Sequence, residues 1–235
     1  KFNKLKMFEN LRDKIKDKKL ILFGEIHGTK EIPNLIKKFL IKVAKEEDFN
    51  LCLEIPEEFQ WKVNKFIESG NNAILNDISF FLEPNNQDGR GSLEYLNLIK
   101  KIYDLNKNYK RNIKIFCIDP NKDTQEEKEK GIVENILKRI NNKKILVILG
   151  DVHASKNSVS FYEKKFLPAG AILFKELEDK MFNIRVLPKR GEFFNFGIKN
   201  IEENNLEDPF NKNFDYIHEL EKVTPASFQE VKKTL

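Results

Sequence analysis

The sequence lacks the residues of several common functional sites. Only two of its 235 residues are cysteine, Cys52 and Cys117, and no C-x-x-C pair occurs, which argues against a thiolate metal site or a dithiol redox site. Each cysteine lies inside an apolar, strand-like run, so we expect buried, inert thiols in a reducing compartment. The G-x-S-x-G, Walker A and G-x-G-x-x-G motifs are also missing, which disfavours a serine nucleophile of the α/β-hydrolase kind, a P-loop and a dinucleotide site.

Long apolar runs and a strong net charge are missing too. No apolar run approaches the roughly 20 residues that a membrane span needs, so we expect none. The 42 basic and 37 acidic residues leave a formal net charge of +5, and lysine is mixed with acidic residues along helical faces. That pattern is typical of a solvated surface, and we expect no nucleic-acid partner. The chain begins at Lys1, so a removed leader or lipid anchor stays open; the expected location is the cytoplasm.

Apolar segments alternate with helical patterns over the first two thirds of the chain, which favours a parallel α/β sheet. Strands are predicted at residues 19–25, 49–55, 113–119 and 144–151. Helices are predicted at residues 4–17, 29–47, 56–69, 92–108 and 124–141, with Thr29 and Ser92 as caps. The strands are apolar throughout, as expected for a mainly parallel central sheet flanked by helices on both faces.

The last third of the chain has a different pattern. Residues 171–177, 181–187 and 193–197 are predicted as strands with tight links, which indicates an antiparallel extension of the sheet. The length suits one large domain. We therefore expect a single α/β domain over residues 1–235, with a motif-bearing core at 20–155 and a C-terminal extension at 156–235.

Two of the three histidines occur in the same short phrase, Gly-acid-apolar-His, at the end of an apolar strand. The phrase ends at His27 after the first strand and at His153 after the fourth. In an extended chain residues i and i+2 point to the same side, so Glu25 projects with His27 and Asp151 with His153. Open α/β sheets bind their ligands at the carboxyl ends of strands. The paired phrase therefore predicts a site where both imidazoles meet.

Other ionisable residues follow the remaining strands. Glu54 ends the second strand and joins the predicted site, whereas Asp119, before a proline, is expected to be a helix cap. Arg90 lies between two glycines just before a helix, where it could hold an anionic or polarised substrate oxygen. Tyr95, one turn into that helix, is a candidate for lining the same pocket, although core packing is the simpler expectation. His218 has no matching phrase and is expected to be structural.

Two imidazoles with carboxylates support two kinds of chemistry, and the residues do not choose between them. In the first, Glu25, His27, Glu54 and His153 hold a divalent metal such as Mn, Zn or Co, which lowers the pKa of a bound water. In the second, a histidine oriented by a carboxylate takes a proton from water, while Arg90 or the other histidine stabilises the oxyanion.

Both alternatives predict hydrolysis of an ester, amide or related bond in a small-molecule or peptide substrate. We expect His27 to be the general base or a metal ligand, positioned by Glu25. Glu54 is expected to be a second acid/base group, and His153 to assist from the opposite strand. Arg90 and Asp151 are expected to bind the substrate. The oligomeric state stays open.

At these residues the chain resembles a superfamily that groups erythromycin esterases, ChaN-like haem-binding lipoproteins and TIKI/TraB proteins. Its shared signature is a pair of G-x-x-H motifs with accompanying glutamates. Residues 24–29 resemble the first motif and 150–154 the second, while 53–56 resemble the acidic strand end and 88–92 an arginine-bearing loop.

The resemblance implies several functions, because the members differ. Erythromycin esterases are taken to activate water without an essential metal, and TIKI proteins are metal-dependent proteases. ChaN-like proteins bind haem. The resemblance therefore implies a hydrolase and leaves an alternative, a non-catalytic protein that holds haem or a metal in the same cleft.

Overall fold

Helices and strands alternate along the chain. The computed structural model describes residues 6–82, 88–140, 143–161, 164–201 and 208–229. The strands are β1 (Leu20–Glu25), β2 (Phe49–Pro56), β3 (Lys114–Asp119), β4 (Lys144–Gly150), β5 (Val159–Phe161), β6 (Lys164–Phe166), β7 (Met181–Pro188), β8 (Gly191–Phe194), β9 (Ile198–Ile201) and β10 (Tyr216–Leu220). The α-helices are α1 (Lys6–Ile15), α2 (Glu31–Glu46), α3 (Gln60–Ser69), α4 (Asn72–Asn76), α5 (Leu93–Tyr109), α6 (Gln125–Leu137), α7 (Asp151–Ala154) and α8 (Ala169–Leu177). Within these ranges, no helix has both the length and the apolar character that crossing a bilayer requires.

Six strands form one parallel sheet in the order β10-β7-β1-β4-β2-β3. The pairs β5–β6 and β8–β9 form two small antiparallel sheets in the C-terminal part of the chain. These findings confirm the predicted α/β class with its mainly parallel sheet. Strands β1 and β4 lie side by side, with Glu25 opposite Gly150. That register brings the two Gly-acid-apolar-His phrases level at the carboxyl edge of the sheet.

Apolar side chains cover both faces of the sheet, as the unbroken apolar strands predicted. On one face, Ile21 and Phe23 of β1 pack with α1, α2, α3 and α5. On the other, Leu20 and Leu22 pack with α6 and α8. This alternation is the period-2 pattern of a strand that is buried on both sides. The two cysteines lie in these layers, where burial raises the pKa of each thiol to about 12.

Residues 171–177, predicted as a strand, belong to helix α8. The prediction was wrong because a short apolar run fits a buried helix and a buried strand equally well. Ala169 and Leu173, one helical turn apart, both face the second apolar layer. Helix α8 also explains why β7 forms where a strand was predicted but pairs in parallel with β1 inside the sheet. A crossover through a helix returns the chain in the same direction, whereas a tight turn reverses it.

Two of the helix caps that the sequence predicted are not formed by the side chains of the structure. Helix α2 begins after Lys30, and Thr29 does not cap it; the Thr29 hydroxyl is buried without a partner among the described residues. Ser92 precedes α5 without a capping hydrogen bond from its side chain. Thr124 does cap α6, since its hydroxyl accepts the backbone N–H of Glu127.

Replacing Phe23 by alanine tests the first apolar layer. The Phe23 ring is fully buried and meets the Phe39 ring edge-on, with centroids 5.1 Å apart. We expect Phe23→Ala to lower the free energy of unfolding by about 3–5 kcal/mol in urea titrations, because the substitution removes buried surface and leaves a cavity. The control Phe196→Ala, at a side chain 65% exposed, should change it by less than about 0.5 kcal/mol. Equal losses in both variants would contradict this packing.

Candidate functional site

A cleft of about 250 Å³ opens at the carboxyl edge of the sheet, above the ends of β1, β4 and β2. Five residues that the sequence predicted for the site line it: Glu25, His27, Glu54, Asp151 and His153. The topology explains the grouping, because parallel strands end at the same edge and each of these residues lies at or just after a strand end.

The two imidazoles meet at the carboxylate of Glu54. Nε2 of His27 lies 3.3 Å from Glu54 Oε2, and Nε2 of His153 lies 3.7 Å from Glu54 Oε1. More than a hundred residues separate the histidines along the chain. The structure therefore brings together the two phrases and the glutamate that sequence analysis selected.

His27 lies between two carboxylates. Its Nδ1 is 2.8 Å from Glu25 Oε1, on the side opposite Glu54. Burial by itself would lower the pKa of His27, but the hydrogen bonds to Glu25 and Glu54 and the charge of Asp88 outweigh burial and raise the pKa to about 10. His27 is therefore an imidazolium at neutral pH, with a proton on both ring nitrogens.

Glu54 is buried, yet it stays ionised. Its Oε1 accepts hydrogen bonds of 3.0 Å from both Arg90 and Lys128, and its Oε2 accepts the backbone N–H of Gly150. Burial by itself would raise the pKa of Glu54, but the positive charge of Arg90, the two imidazoles and Lys128 hold that pKa well below its usual range. The site therefore contains a fixed negative charge between two histidines.

Arg90 connects three carboxylates. Besides Glu54, its guanidinium donates to Asp119 at 2.7 Å and to Asp88 at 2.9 Å. Asp119 also accepts the backbone N–H of Asn121 in a local turn, so the helix cap predicted for it was wrong, and Thr124 caps α6 instead. The contact of Asp119 with Arg90 was not predicted, because it depends on where Arg90 folds. Nε and Nη1 of Arg90 are committed to carboxylates of the protein.

Glu129 is a site residue that sequence analysis missed. It is buried on α6, and its Oε1 lies 2.6 Å from Nδ1 of His153, while its Oε2 accepts the backbone N–H of Ala169. One sequence signal could have found it. Glu129 shares the apolar face of α6 with Ile132 and Ile136, three and seven residues later, and a lone acid on an apolar face needs a partner.

Lys128 was missed as well, and no sequence signal distinguishes it within a helix rich in lysine and glutamate. It reaches Glu54 because α6 packs across β3 and directs its first turns toward the carboxyl edge of the sheet. Its ammonium also lies 3.6 Å from Asp119.

Two other predicted residues lie at the border of the cleft. Asp151 lines the cleft, but its Oδ2 is paired with the buried guanidinium of Arg185 at 2.9 Å. Tyr95 lies behind the cleft, where it is buried and its hydroxyl donates to Oε1 of Glu25. Tyr95 therefore packs in the core and also contacts a residue of the site. His218 lies on β10, away from the cleft.

Gly150 allows the close approach that joins the two phrases. A Cβ atom at this position would lie 2.9 Å from Nε2 of His27 and 3.4 Å from the His153 ring. A side chain would therefore push the imidazoles away from Glu54. Gly150, in the second phrase, therefore leaves the space that the ring of His27, in the first phrase, occupies.

A divalent metal ion bound at Glu54 would have to displace the two cations that this carboxylate already holds. Nδ1 of each imidazole is paired with a glutamate, and only Nε2 of each ring faces Glu54. Glu54 already receives two cationic side chains. Within the described ranges, no group of three or more His, Cys, Asp or Glu side chains is arranged to hold a metal ion.

Comparisons with known proteins support the fold. No protein-family model and no curated protein sequence matches the chain. Among solved structures, a succinoglycan biosynthesis protein aligns with a TM-score of 0.72 and 12% identity over 97% of this chain and 95% of its own. A protein from Bacillus cereus aligns with a TM-score of 0.65 and 13% identity over the same shares of the two chains.

A mutant of the erythromycin esterase EreC in its open conformation is similar as well. It aligns with a TM-score of 0.63 and 13% identity, over 87% of this chain and 81% of its own. The resemblance inferred from the paired motifs is thus confirmed at the level of the fold, which this chain shares with an erythromycin esterase.

The charge of His27 can be tested by its titration. We expect nitrogen-15 NMR to show His27 as an imidazolium through neutral pH and to report loss of its proton near pH 10. The unfolded value is about 6.5, so the stabilisation from this charge is complete below pH 6.5 and is lost as the pH rises toward 10. In urea titrations, the stability difference between wild type and His27→Gln should therefore shrink over that interval.

His218 is the internal control for this titration. Burial lowers the pKa of His218. His218 should therefore lose its proton at a pH below the ordinary pKa of histidine, where His27 is still protonated. A His27 signal that titrates together with that of His218 would contradict the carboxylate pair around His27.

Proposed function

We propose that the protein is a hydrolase that activates water with His153 and cleaves an ester or related acyl bond. The observation that carries the proposal is the pair of imidazoles with different hydrogen-bonding partners on the two sides of one buried carboxylate. The fold shared with an erythromycin esterase supports an ester as the bond cleaved.

His153 is suited to accept the proton of water. Its Nδ1 donates to buried Glu129, which fixes the ring and leaves Nε2 as the nitrogen that can accept a proton from the cleft. A carboxylate behind a histidine also stabilises the imidazolium that forms when the ring takes up a proton. We assign His153 as the general base and Glu129 as its positioning residue.

His27 is suited to the opposite role. The sequence predicted His27 to be the general base or a metal ligand, but an imidazolium with a pKa of about 10 has no lone pair to offer at neutral pH. A positive charge beside the cleft can instead stabilise the oxyanion of a tetrahedral intermediate. We assign His27 this role, with Glu25 holding its charge.

Glu54 supplies fixed charge rather than a proton. The cations around it keep it ionised, so it is suited to orient both imidazoles and to stabilise the positive charge that develops on His153. Arg90 and Lys128 offset the cost of burying that carboxylate.

The proposed reaction balances without a cofactor. The oxygen of water bonds to the acyl carbon while its proton passes to Nε2 of His153, and the carbonyl oxygen becomes an oxyanion that the positive charge of His27 stabilises. The carbon–oxygen bond to the leaving group then breaks, and the leaving oxygen takes the proton from His153. The products are a carboxylic acid and an alcohol.

A substrate panel tests this proposal. We expect hydrolysis of at least one acyl ester from a panel of esters, amides and phosphoesters in the presence of chelator. Asparagine in place of His153 should lower kcat/KM by about 100-fold or more, because the water loses its base. The matched control His218→Asn, outside the cleft, should stay within about 2-fold of wild type.

Any of three outcomes would overturn the proposal. The first is an activity that His153→Asn leaves intact, and the second is a panel in which nothing is hydrolysed. The third is turnover that requires added Mn²⁺, Co²⁺ or Zn²⁺, since the proposed path uses only side chains of the chain.

The role of Glu129 predicts a loss of kcat without a change in KM. Glu129→Gln keeps the shape of the side chain but removes the charge that stabilises the His153 imidazolium, and kcat should fall by about 100-fold or more. The control Glu134→Gln, at an exposed glutamate of the same helix, should leave kcat unchanged. A loss of thermal stability together with changes in both kcat and KM would indicate that Glu129 has only a structural role.

A further inference from the structure

A second cavity, of about 490 Å³, adjoins the cleft at the same edge of the sheet. Asp151 and Val152 line both spaces, so the first turn of α7 forms a shared wall. The far side of the second cavity is formed by residues around β5 and by the helical turn Pro209–Asn213, and its base by Arg185 of β7. A ligand that extends past α7 would occupy both spaces.

Arg185 builds the base of this cavity and is not free to bind an anion. Its Nε and Nη2 both donate to Oδ2 of Asp151, and its Nη1 donates to Asn211 at 2.6 Å. The guanidinium also stacks on the Phe210 ring, 4.6 Å from the ring centroid. Arg185 is paired with two carboxylates, Asp151 and, at 3.5 Å, Asp208, so its charge is more than offset and does not attract an anion.

Some residues that line this cavity carry hydrogen-bonding groups with no partner among the described residues. Oδ1 of Asp151 makes no hydrogen bond within the described ranges, although Oδ2 makes two. The hydroxyls of Ser158 and Ser160 likewise have no partner in the described part of the chain, and both serines are exposed. A carboxylate oxygen can only accept, so it selects a ligand that donates, such as an alcohol, and repels an anion.

The remaining lining of the cavity is apolar. Val152, Val159, Phe210 and Pro209 lie beside the polar groups. A ring that carries hydroxyls on its edges and C–H groups on its faces satisfies both kinds of surface, because its edges form hydrogen bonds while its faces pack on apolar side chains. Neutral sugars have this chemistry, whereas alkyl chains leave Asp151 unpaired and phosphates meet its negative charge.

We propose that the second cavity binds a neutral sugar or similar polyol that forms the alcohol part of the ester cleaved in the adjacent cleft. This inference rests on the proposed function for its catalytic half. The acyl carbon lies at His153, and the sugar extends past Asp151 toward Ser158 and Ser160. Asp151 therefore belongs to both spaces, holding the sugar with Oδ1 while Arg185 holds Oδ2.

Binding without turnover tests the cavity alone. Methyl glucoside, methyl galactoside and hexanoate would be titrated into the full chain and followed by saturation-transfer NMR. We expect a glycoside signal and none from hexanoate. Ser160→Trp fills the cavity from an exposed position, so it should abolish the glycoside signal, while Ser69→Trp, at an exposed serine ending α3, should leave that signal unchanged.

Kinetics test the link between the two spaces. Methyl 6-O-acetylglucoside, hexyl acetate and ethyl acetate carry the same acyl group on different alcohols. We expect kcat/KM for the sugar ester to exceed that for either alkyl ester by about 10-fold or more, because unpaired polar groups in the site penalise alcohols that cannot pair with them. Ser160→Trp should raise KM for the sugar ester by a larger factor than it raises KM for ethyl acetate.

The outcomes separate this inference from the proposed function. Hydrolysis of ethyl acetate without a sugar preference and without glycoside binding would overturn the sugar site and leave the hydrolase standing. Glycoside binding that Ser160→Trp removes, without hydrolysis of any ester, would support the sugar site and overturn the hydrolase. A preference for hexyl acetate would overturn the sugar assignment in favour of an apolar alcohol.

Discussion

The carboxylate of Glu54 is the charge on which the site depends. It is buried at the end of β2, and it contacts both histidines, Arg90 and Lys128. A buried carboxylate costs several kcal/mol unless cations and hydrogen bonds surround it, and removing one partner leaves an uncompensated charge. The ring of partners must therefore form as a unit. A cluster with this energetic cost at the carboxyl edge of a parallel sheet is better explained by function than by stability.

The sheet topology supplies these partners from distant parts of the chain. Strands β1, β4 and β2 lie side by side, so residues that follow them end at one edge. Helix α6 then contributes Lys128 and Glu129 from the face that also packs β3, and the loop before α5 contributes Arg90. Few of these contacts are local in sequence. The hydrogen bonds that Arg90, Lys128 and Glu129 make across the site therefore depend on the packing of the apolar layers that hold α5 and α6 in place.

Because many contacts of the site join distant parts of the chain, only part of the fold and of the site could be predicted from the sequence. The four apolar strands could be predicted because burial on both faces produces an unbroken apolar run. The site at His27 and His153 could be predicted because both histidines follow a strand end in the same short phrase. Residues 171–177 were read wrongly, since length and apolarity do not separate a short buried helix from a strand. Glu129 left a weak signal on the apolar face of α6. Lys128 left no such signal, because only its contact with Glu54 in the folded protein distinguishes it from the neighbouring lysines.

The two histidines carry the same phrase but face different surroundings. His27 has Glu25 on one side, Glu54 on the other and Asp88 nearby, and together these carboxylates keep it protonated far above neutral pH. His153 has Glu129 behind it and shares Glu54 with two permanent cations, Arg90 and Lys128. A repeated sequence motif thus specifies position, and the neighbouring charges specify the surroundings of each imidazole. For that reason the residues outside the repeated phrase, Glu129 and Arg90 above all, determine how the two histidines differ.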